Sequence, residues 1–303
     1  MFKNFFRHCI SKFGYQISPI KQHIFSEPSI LGKAKNFKER FKDVISDPLN
    51  LLINRVPEAG YVDASMNVFL HNGLKVPING KYAYYDDFSD ILILNRGVHE
   101  PLEEFCFQEV LKIIDKKNPI MLELGSYWAH YSMWFLQTFK SGKSFMVEPN
   151  LQNLNSGKHN FDINSLSGEF IQSEVCEGEF EVDIFIQENH INSLDILHCD
   201  IQGLELEMLE CAHSTLNQNK VDYIFISTHS ESMHNGVCNI LIENNYVIEV
   251  SSNFEDHTTS YDGFVLASSG EAKRVFQDFK PLGRLDILNA SPQELIDSLK
   301  EIN

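Results

Sequence analysis

The residues of this sequence best suited to chemistry each follow a short apolar run. The first such segment closes on Glu123-Leu124-Gly125-Ser126-Tyr127, where Gly125 permits a tight turn and the helix behind it offers unpaired backbone N–H groups. The second closes on Val147-Glu148-Pro149-Asn150, placing a carboxylate a little over ~20 residues past the glycine, where it can accept hydrogen bonds from a ribose diol. The third brings Ser173 and Glu174 to the place where an adenine would lie. The fourth ends at Asp200, and the fifth ends Thr228-His229-Ser230. With His257 from a late loop, Asp200 and His229 are expected to converge in a cleft. His229 is the first candidate for a general base, because an unperturbed imidazole has a pKa near ~6.5. An alternative is that Asp200, His229 and His257 hold a divalent metal that acidifies an acceptor hydroxyl, although their spacing is not diagnostic of one. His198, on an apolar strand, reads as a hydrogen-bonded core residue.

A dinucleotide site would require G-x-G-x-x-G, whose second glycine lets the backbone approach a pyrophosphate. Here Tyr127 and Trp128 follow Gly125 and Ser126, which weakens that reading. S-adenosylmethionine has no phosphate, so one glycine suffices for it, with the turn facing its amino-acid end.

The elements that must position these residues alternate in type. From Asn118-Pro119 onward, strands over 119–125, 144–150, 169–175, 194–200 and 221–228 alternate with helices, and 246–250 and 263–267 read as a final strand pair. One of those helices carries Leu204, Met208, Ala212 and Leu216 at every fourth position. This order predicts an α/β fold: a Rossmann-like, doubly wound, seven-stranded sheet with an antiparallel strand at or near one edge. Residues 96–270 are expected to form that domain and 1–95 a helical and β-hairpin cap, with turn signals at His71-Asn72-Gly73 and Asn79-Gly80. A helical tail over 271–303 contains Ser291-Pro292-Gln293-Glu294, a capping-box start. Arg96, His99 and Glu100 precede the first domain helix; they either fold over the cleft to meet an acceptor or form a mixed-charge surface loop.

The 303 residues are 43% hydrophobic and 22% charged, which suits a sizeable core. A net charge of -17 opposes polyanionic partners and excludes nucleic acid from the expected ligands. Six cysteines without a C-x-x-C pair suit a reducing cytoplasm. No apolar run reaches the ~20 residues of a membrane helix, and no signal peptide is expected. Residues 1–13 nevertheless place Phe2, Phe5, Phe6, Ile10 and Phe13 at helical spacing beside Lys3, Arg7 and Lys12. That pattern allows either peripheral membrane contact or docking of an amphipathic helix. Oligomeric state is not legible.

Taken in order, the segments resemble the FkbM-type methyltransferases. The turn from Glu123 to Ser132, V-E-P-N at Val147 to Asn150, D-I-Q-G-x-E at Asp200 to Glu205, T-H-S at Thr228 to Ser230 and D-G at Asp262-Gly263 carry the resemblance. Tyr127 stands where the pattern has Asn, and Ala129 where it has Gly. The resemblance implies S-adenosylmethionine as cofactor, held by Glu123, Gly125, Ser126, Tyr127, Ser132, Glu148, Asn150, Ser173, Glu174 and Asp200. It also implies methyl transfer to a hydroxyl of a sugar, glycan or small metabolite; by position and side-chain chemistry, Asp200 and His229 are the expected catalytic residues and Arg96, His99, Glu100 and His257 the residues expected to face the acceptor. Two other classes stay open on the residues alone: a nucleotide-dependent oxidoreductase, and a non-catalytic binding protein that keeps the fold.

Overall fold

Asn36 opens the first helix, its side chain accepting the Glu39 N–H, and α1 runs over Phe37–Ser46. The computed structural model describes residues 32–84, 88–175, 178–277 and 279–302; the amphipathic segment 1–13 lies outside them. A 3-10 turn at Pro48–Leu51 leads to the hairpin of β1 (Asn67–Phe69) and β2 (Lys75–Pro77), joined through the expected His71-Asn72-Gly73 turn. Asn79-Gly80 is also a bend, but no strand follows it. α2 (Ile91–Leu94) and α3 (Pro101–Ile113) complete the N-terminal part.

The alternating region gives β3 (Ile120–Leu124), α4 (His130–Thr138), β4 (Lys143–Val147), α5 (Leu151–Ile163), β5 (Glu169–Ile171) and α6 (Val182–Glu188). It continues with β6 (Leu194–Cys199), α7 (Glu205–Glu210), α8 (His213–Asn217), β7 (Val221–Thr228), α9 (Glu231–Glu243), β8 (Val247–Ser252) and β9 (Gly263–Ser268). The sheet order is β5-β4-β3-β6-β7-β9-β8, and β9 alone runs antiparallel to its neighbours. This is the doubly wound, Rossmann-like sheet of class I methyltransferase type that the sequence pattern predicts.

Strand periodicity divides the interior into two cores. Met121, Met146, Ile196, Phe225 and Phe264 face one side, packed by α3, α4 and α5 and by the N-terminal residues Leu70, Val76 and Phe88. Leu122, Val147, Leu197, Ile224 and Val265 face the other, covered by α6 to α9. α10 (Arg284–Asn289) and α11 (Pro292–Glu301) close the chain, and α11 starts with the expected Ser291/Glu294 capping box. Leu299 of α11 and Phe276 belong to the first core, so both ends of the described chain pack on one face of the sheet.

Two elements differ from the sequence expectation. β5 stops at Ile171 rather than Val175, because its only partner, β4, ends at Val147 and offers no further ladder. The helix expected through Leu204 and Leu216 breaks at Cys211-Ala212, where the Asp183 carboxylate accepts the N–H groups of Ser214 and Thr215, each at 2.8 Å, and so starts a separate α8. Among the described residues, no helix is long and apolar enough to cross a membrane.

Candidate active site

The sheet order reverses between β3 and β6, so the crevice beyond their carboxyl ends is the natural ligand site. Gly125 is required there. Its φ is +73°, and a Cβ at that position would lie 1.8 Å from the Asp200 carbonyl oxygen, so only glycine lets the two strand ends close on each other. The turn beyond is wound tightly: the N–H groups of Gly125 and Ser126 both donate to the Val147 carbonyl. Tyr127 and Ala129 both have left-handed backbones, at φ 43° and 60°. Residues with a Cβ adopt that conformation only at a cost, which Asn bears more readily than Tyr and Ala and which Gly escapes.

The ends of β6, β3, β4 and β5 follow one another across the sheet, so Asp200, Gly125 to Tyr127, Glu148 and Ser173-Glu174 form a line. Three strand spacings of about 4.8 Å make this about 14 Å long, the scale of an extended nucleoside joined to an amino acid. Glu148 is 5% exposed, and its carboxylate accepts the backbone N–H groups of Tyr127 at 3.0 Å and Asn150 at 2.9 Å. Asn153 Nδ2 also donates to it at 3.3 Å, and of the roughly four lone-pair sites of the carboxylate about one is left for a further donor. Asn150 itself is occupied as the N-cap of α5. Ser173 is half-buried and Glu174 exposed on the open side of this line. Ser132 is fully buried, with its hydroxyl bonded to that of Ser144 at 2.7 Å, and it reaches no cleft.

A cleft lies at the Asp200 end of the line. Gly125, Ser126, Tyr127 and Asp200 form its floor, and His99, Glu100 and Tyr84 form the facing wall. The Ser126 hydroxyl is 3% exposed and has no hydrogen-bond partner, as expected of a group awaiting a ligand. Glu123 belongs to the cleft but serves mainly as a cap for α4, accepting the Ser132 N–H at 3.2 Å. Burial raises its carboxyl to about 7 against the opposing pull of His198 and of these N–H donors. His198 is buried and hydrogen-bonded, as the sequence indicates; its partner is Glu103 of α3, at 2.5 Å, which also accepts from Ser227.

His229 differs most from its expected role. Its Nδ1 is 2.9 Å from Glu205 Oε1, its Nε2 is 3.4 Å from Asp200 Oδ1 and 4.0 Å from Asp262 Oδ1. Burial alone would lower its pKa, but the three carboxylates outweigh it and raise the ring to about 10. His229 is therefore an imidazolium at neutral pH and not the free base the unperturbed residue would be. It anchors Asp200 and Asp262, which line the cleft.

Glu205, and not His257, completes the trio with Asp200 and His229, the three ligand atoms lying within 4.8 Å of one another. Gln202 Nε2 donates to Asp200 Oδ1 at 3.0 Å and the Gly203 N–H to Glu205 Oε1 at 3.2 Å, while Glu205 Oε2 and His229 Nε2 are buried without a hydrogen-bond partner. His257 is held elsewhere, its carbonyl accepting both the backbone N–H and the Nε–H of Arg284. Arg96 points to the Ala59 carbonyl at 3.4 Å and does not line the cleft, whereas His99 and Glu100 do. Glu100 pairs with Arg40 at 3.2 Å; burial raises its carboxyl to about 7, with nearby Glu103 and Asp200 adding to the shift and His99 and Arg40 opposing it. The sequence reading missed Arg40, Tyr84, Glu103 and Tyr261, all of which line the cleft. These residues come from the N-terminal part, from a helix interior and from a loop, and none follows a strand.

No sequence-family profile matches the chain, and no curated protein matches it. Solved structures similar to it include M. capricolum TrmK in complex with S-adenosyl-homocysteine, at 19% identity over 65% of this chain and 81% of that one, TM-score 0.40. The METTL16 methyltransferase domain is 14% identical over 78% of this chain and 81% of that one, TM-score 0.47. A precorrin-6y C5,15-methyltransferase from Geobacter metallireducens GS-15 is 13% identical over 55% of this chain and 87% of that one, TM-score 0.40. At these identities the likeness is one of fold.

Proposed function

We propose that the protein is an S-adenosylmethionine-dependent methyltransferase of FkbM-like type that methylates a hydroxyl on a sugar, glycan or small metabolite. The observation that carries this reading is the clasp of Gly125 on Asp200 at the switch point, which begins a line of strand ends leading to the buried carboxylate Glu148. The unpartnered Ser126 hydroxyl and the spare lone pair of Glu148 fit such a cofactor. When bound, it supplies an electrophilic methyl group. The chain's own part is alignment of the acceptor and removal of its proton.

Glu100 takes the general-base role in place of His229: it lines the cleft with Asp200, is partly open to it, and burial raises its carboxyl to about 7. Five carboxyl groups, Glu100, Glu103, Glu123, Asp200 and Asp262, line the cleft, partly offset by Arg40 on Glu100, Lys33 on Asp262 and His229 beside Asp200. Such walls favour a neutral or cationic acceptor and repel phosphorylated ones, nucleic acid included.

The test is methyl transfer from labelled cofactor to a panel of neutral, cationic and phosphorylated hydroxyl compounds. Transfer to the first two sets, with Glu100→Gln lowering kcat about 100-fold, is the expected outcome. A preference for phosphorylated acceptors, or an unchanged rate in Glu100→Gln, would overturn the acceptor and base assignments. Absence of any transfer despite cofactor binding would favour the non-catalytic binding protein.

A further inference from the structure

We infer that His71, Glu104 and His130 form a binding site for one divalent transition-metal ion of the zinc type, clamped between the β1–β2 turn, α3 and α4. This inference is independent of the methyltransferase reading and uses none of the residues assigned to it.

The three side chains are 1%, 0% and 2% exposed. His71 Nε2 lies 3.0 Å and His130 Nε2 3.9 Å from Glu104 Oε2, and the three ligand atoms lie within 4.8 Å of one another. None of the three atoms makes a hydrogen bond of acceptable geometry, and neither does His130 Nδ1. Buried polar atoms without partners each cost about 1–3 kcal/mol, and three that converge on one point call for a common partner.

The surroundings show what that partner is. Glu104 Oε1 is already supplied, accepting the N–H groups of His99 at 2.7 Å and Glu100 at 3.0 Å, so Oε2 is the free lobe. His71 Nδ1 lies 3.3 Å from the Asn54 carbonyl, and in the tautomer that donates to it Nε2 is bare toward the carboxylate. Backbone support of this kind on the far nitrogen is typical of metal-ligating histidine. Two lone pairs thus face each other at 3.0 Å. A proton added to His71 would satisfy Oε2 but leave both nitrogens of His130 unpartnered, whereas one cation satisfies all three atoms. The 3.0 and 3.9 Å separations bracket the about 3.4 Å expected for two ligands at a tetrahedral angle on bonds of about 2.1 Å. Two imidazoles with one carboxylate suit zinc and its neighbours in the first transition row, not calcium or magnesium.

The backbone is built to bring these groups together. Gly97, at φ +84°, packs so closely on the hairpin turn that a Cβ there would lie 2.1 Å from the His71 nitrogen. Trp134 meets the His71 ring edge-on at 4.3 Å, and Trp128 stacks on His130 at 5.0 Å, giving the site apolar walls.

The test uses the full chain, stripped with chelator and titrated with cobalt(II) as a spectroscopic probe and with zinc(II) alone. One equivalent should bind with visible d–d absorption, and X-ray absorption on the unsubstituted protein should show two imidazole ligands. His71→Gln and His130→Gln, checked for folding by circular dichroism, should each weaken binding more than about 100-fold, since even supporting residues are worth 10–100-fold. Asp200→Asn and His229→Gln should leave the stoichiometry unchanged. Folded protein that binds no cobalt or zinc, metal without imidazole ligation, or binding lost in the Asp200 and His229 variants and retained in the other two would each overturn the assignment.

Discussion

The α-carbon of Gly125 lies against the backbone carbonyl of Asp200, leaving a gap too small for even a methyl group. That contact joins the ends of β3 and β6 at the point where the sheet changes direction, and the candidate cofactor line starts from it. Gly125→Ala must push the strand ends apart and also adopt a positive φ, so a loss of about 3 kcal/mol in unfolding free energy is expected. Denaturant titration checks this. A variant as stable as the parent would show that the clasp is not required.

His229 should remain protonated well above neutrality. Its folded pKa of about 10 exceeds the ordinary 6.5, so the stability it contributes is complete below pH 6.5 and is lost as pH rises through about 10. Imidazole nitrogen shifts followed by NMR would show this directly. A ring already neutral at pH 8 would restore the general-base role.

Asp47 should act in the opposite range. It accepts the Leu49 N–H at 2.8 Å and the Thr259 hydroxyl in a buried position, and burial, partly offset by those bonds, raises its carboxyl from 3.8 to about 6. The folded state therefore holds this proton more tightly than the unfolded chain, and the stability so gained fades as pH rises through about 6. Relative to Asp47→Asn, the parent should lose about 3 kcal/mol between pH 3.5 and 7. A pH-independent difference between the two proteins would contradict the assignment.

Arg284 and Asp43 tie the C-terminal tail to α1 through a buried contact of 3.2 Å. Burial raises Asp43 to about 7 even with the guanidinium opposing it, so Arg284 cannot be removed without leaving a poorly solvated carboxyl. Arg284→Met should cost about 3–5 kcal/mol, and Asp43→Asn distinctly less, because Asn can still accept from the guanidinium. Thermal melts of the two variants decide the order; equal effects would argue against a charge-based account.

What the sequence made legible follows from how local each signal is. The strands from Ile120 to Ser268 announce themselves as short apolar runs alternating with helical segments, and Gly125, Glu148 and Asp200 by their place just after a strand. The Ser291 capping box is likewise a signal of four adjacent residues. Legibility failed where a property depends on distant partners. The strand-end positions bring Asp200 and His229 together in sequence, but nothing near His229 reveals that Glu205 and Asp262 also face it and shift its chemistry. His257 lies outside the cleft lining, and a loop histidine carries no local sign of the Arg284 contacts that hold its backbone. Glu103 and Glu104 lie inside an apparently ordinary amphipathic helix, and only the packing of α3 shows that both are buried against histidines.

The central claim is the cofactor, and calorimetric titration of the folded protein with S-adenosylhomocysteine, repeated on Glu148→Ala, tests it most directly. The account predicts one site of micromolar affinity, about -8 kcal/mol, weakened at least about tenfold by the substitution. A folded protein that releases no heat and shows no binding, or one whose affinity ignores Glu148, would contradict it.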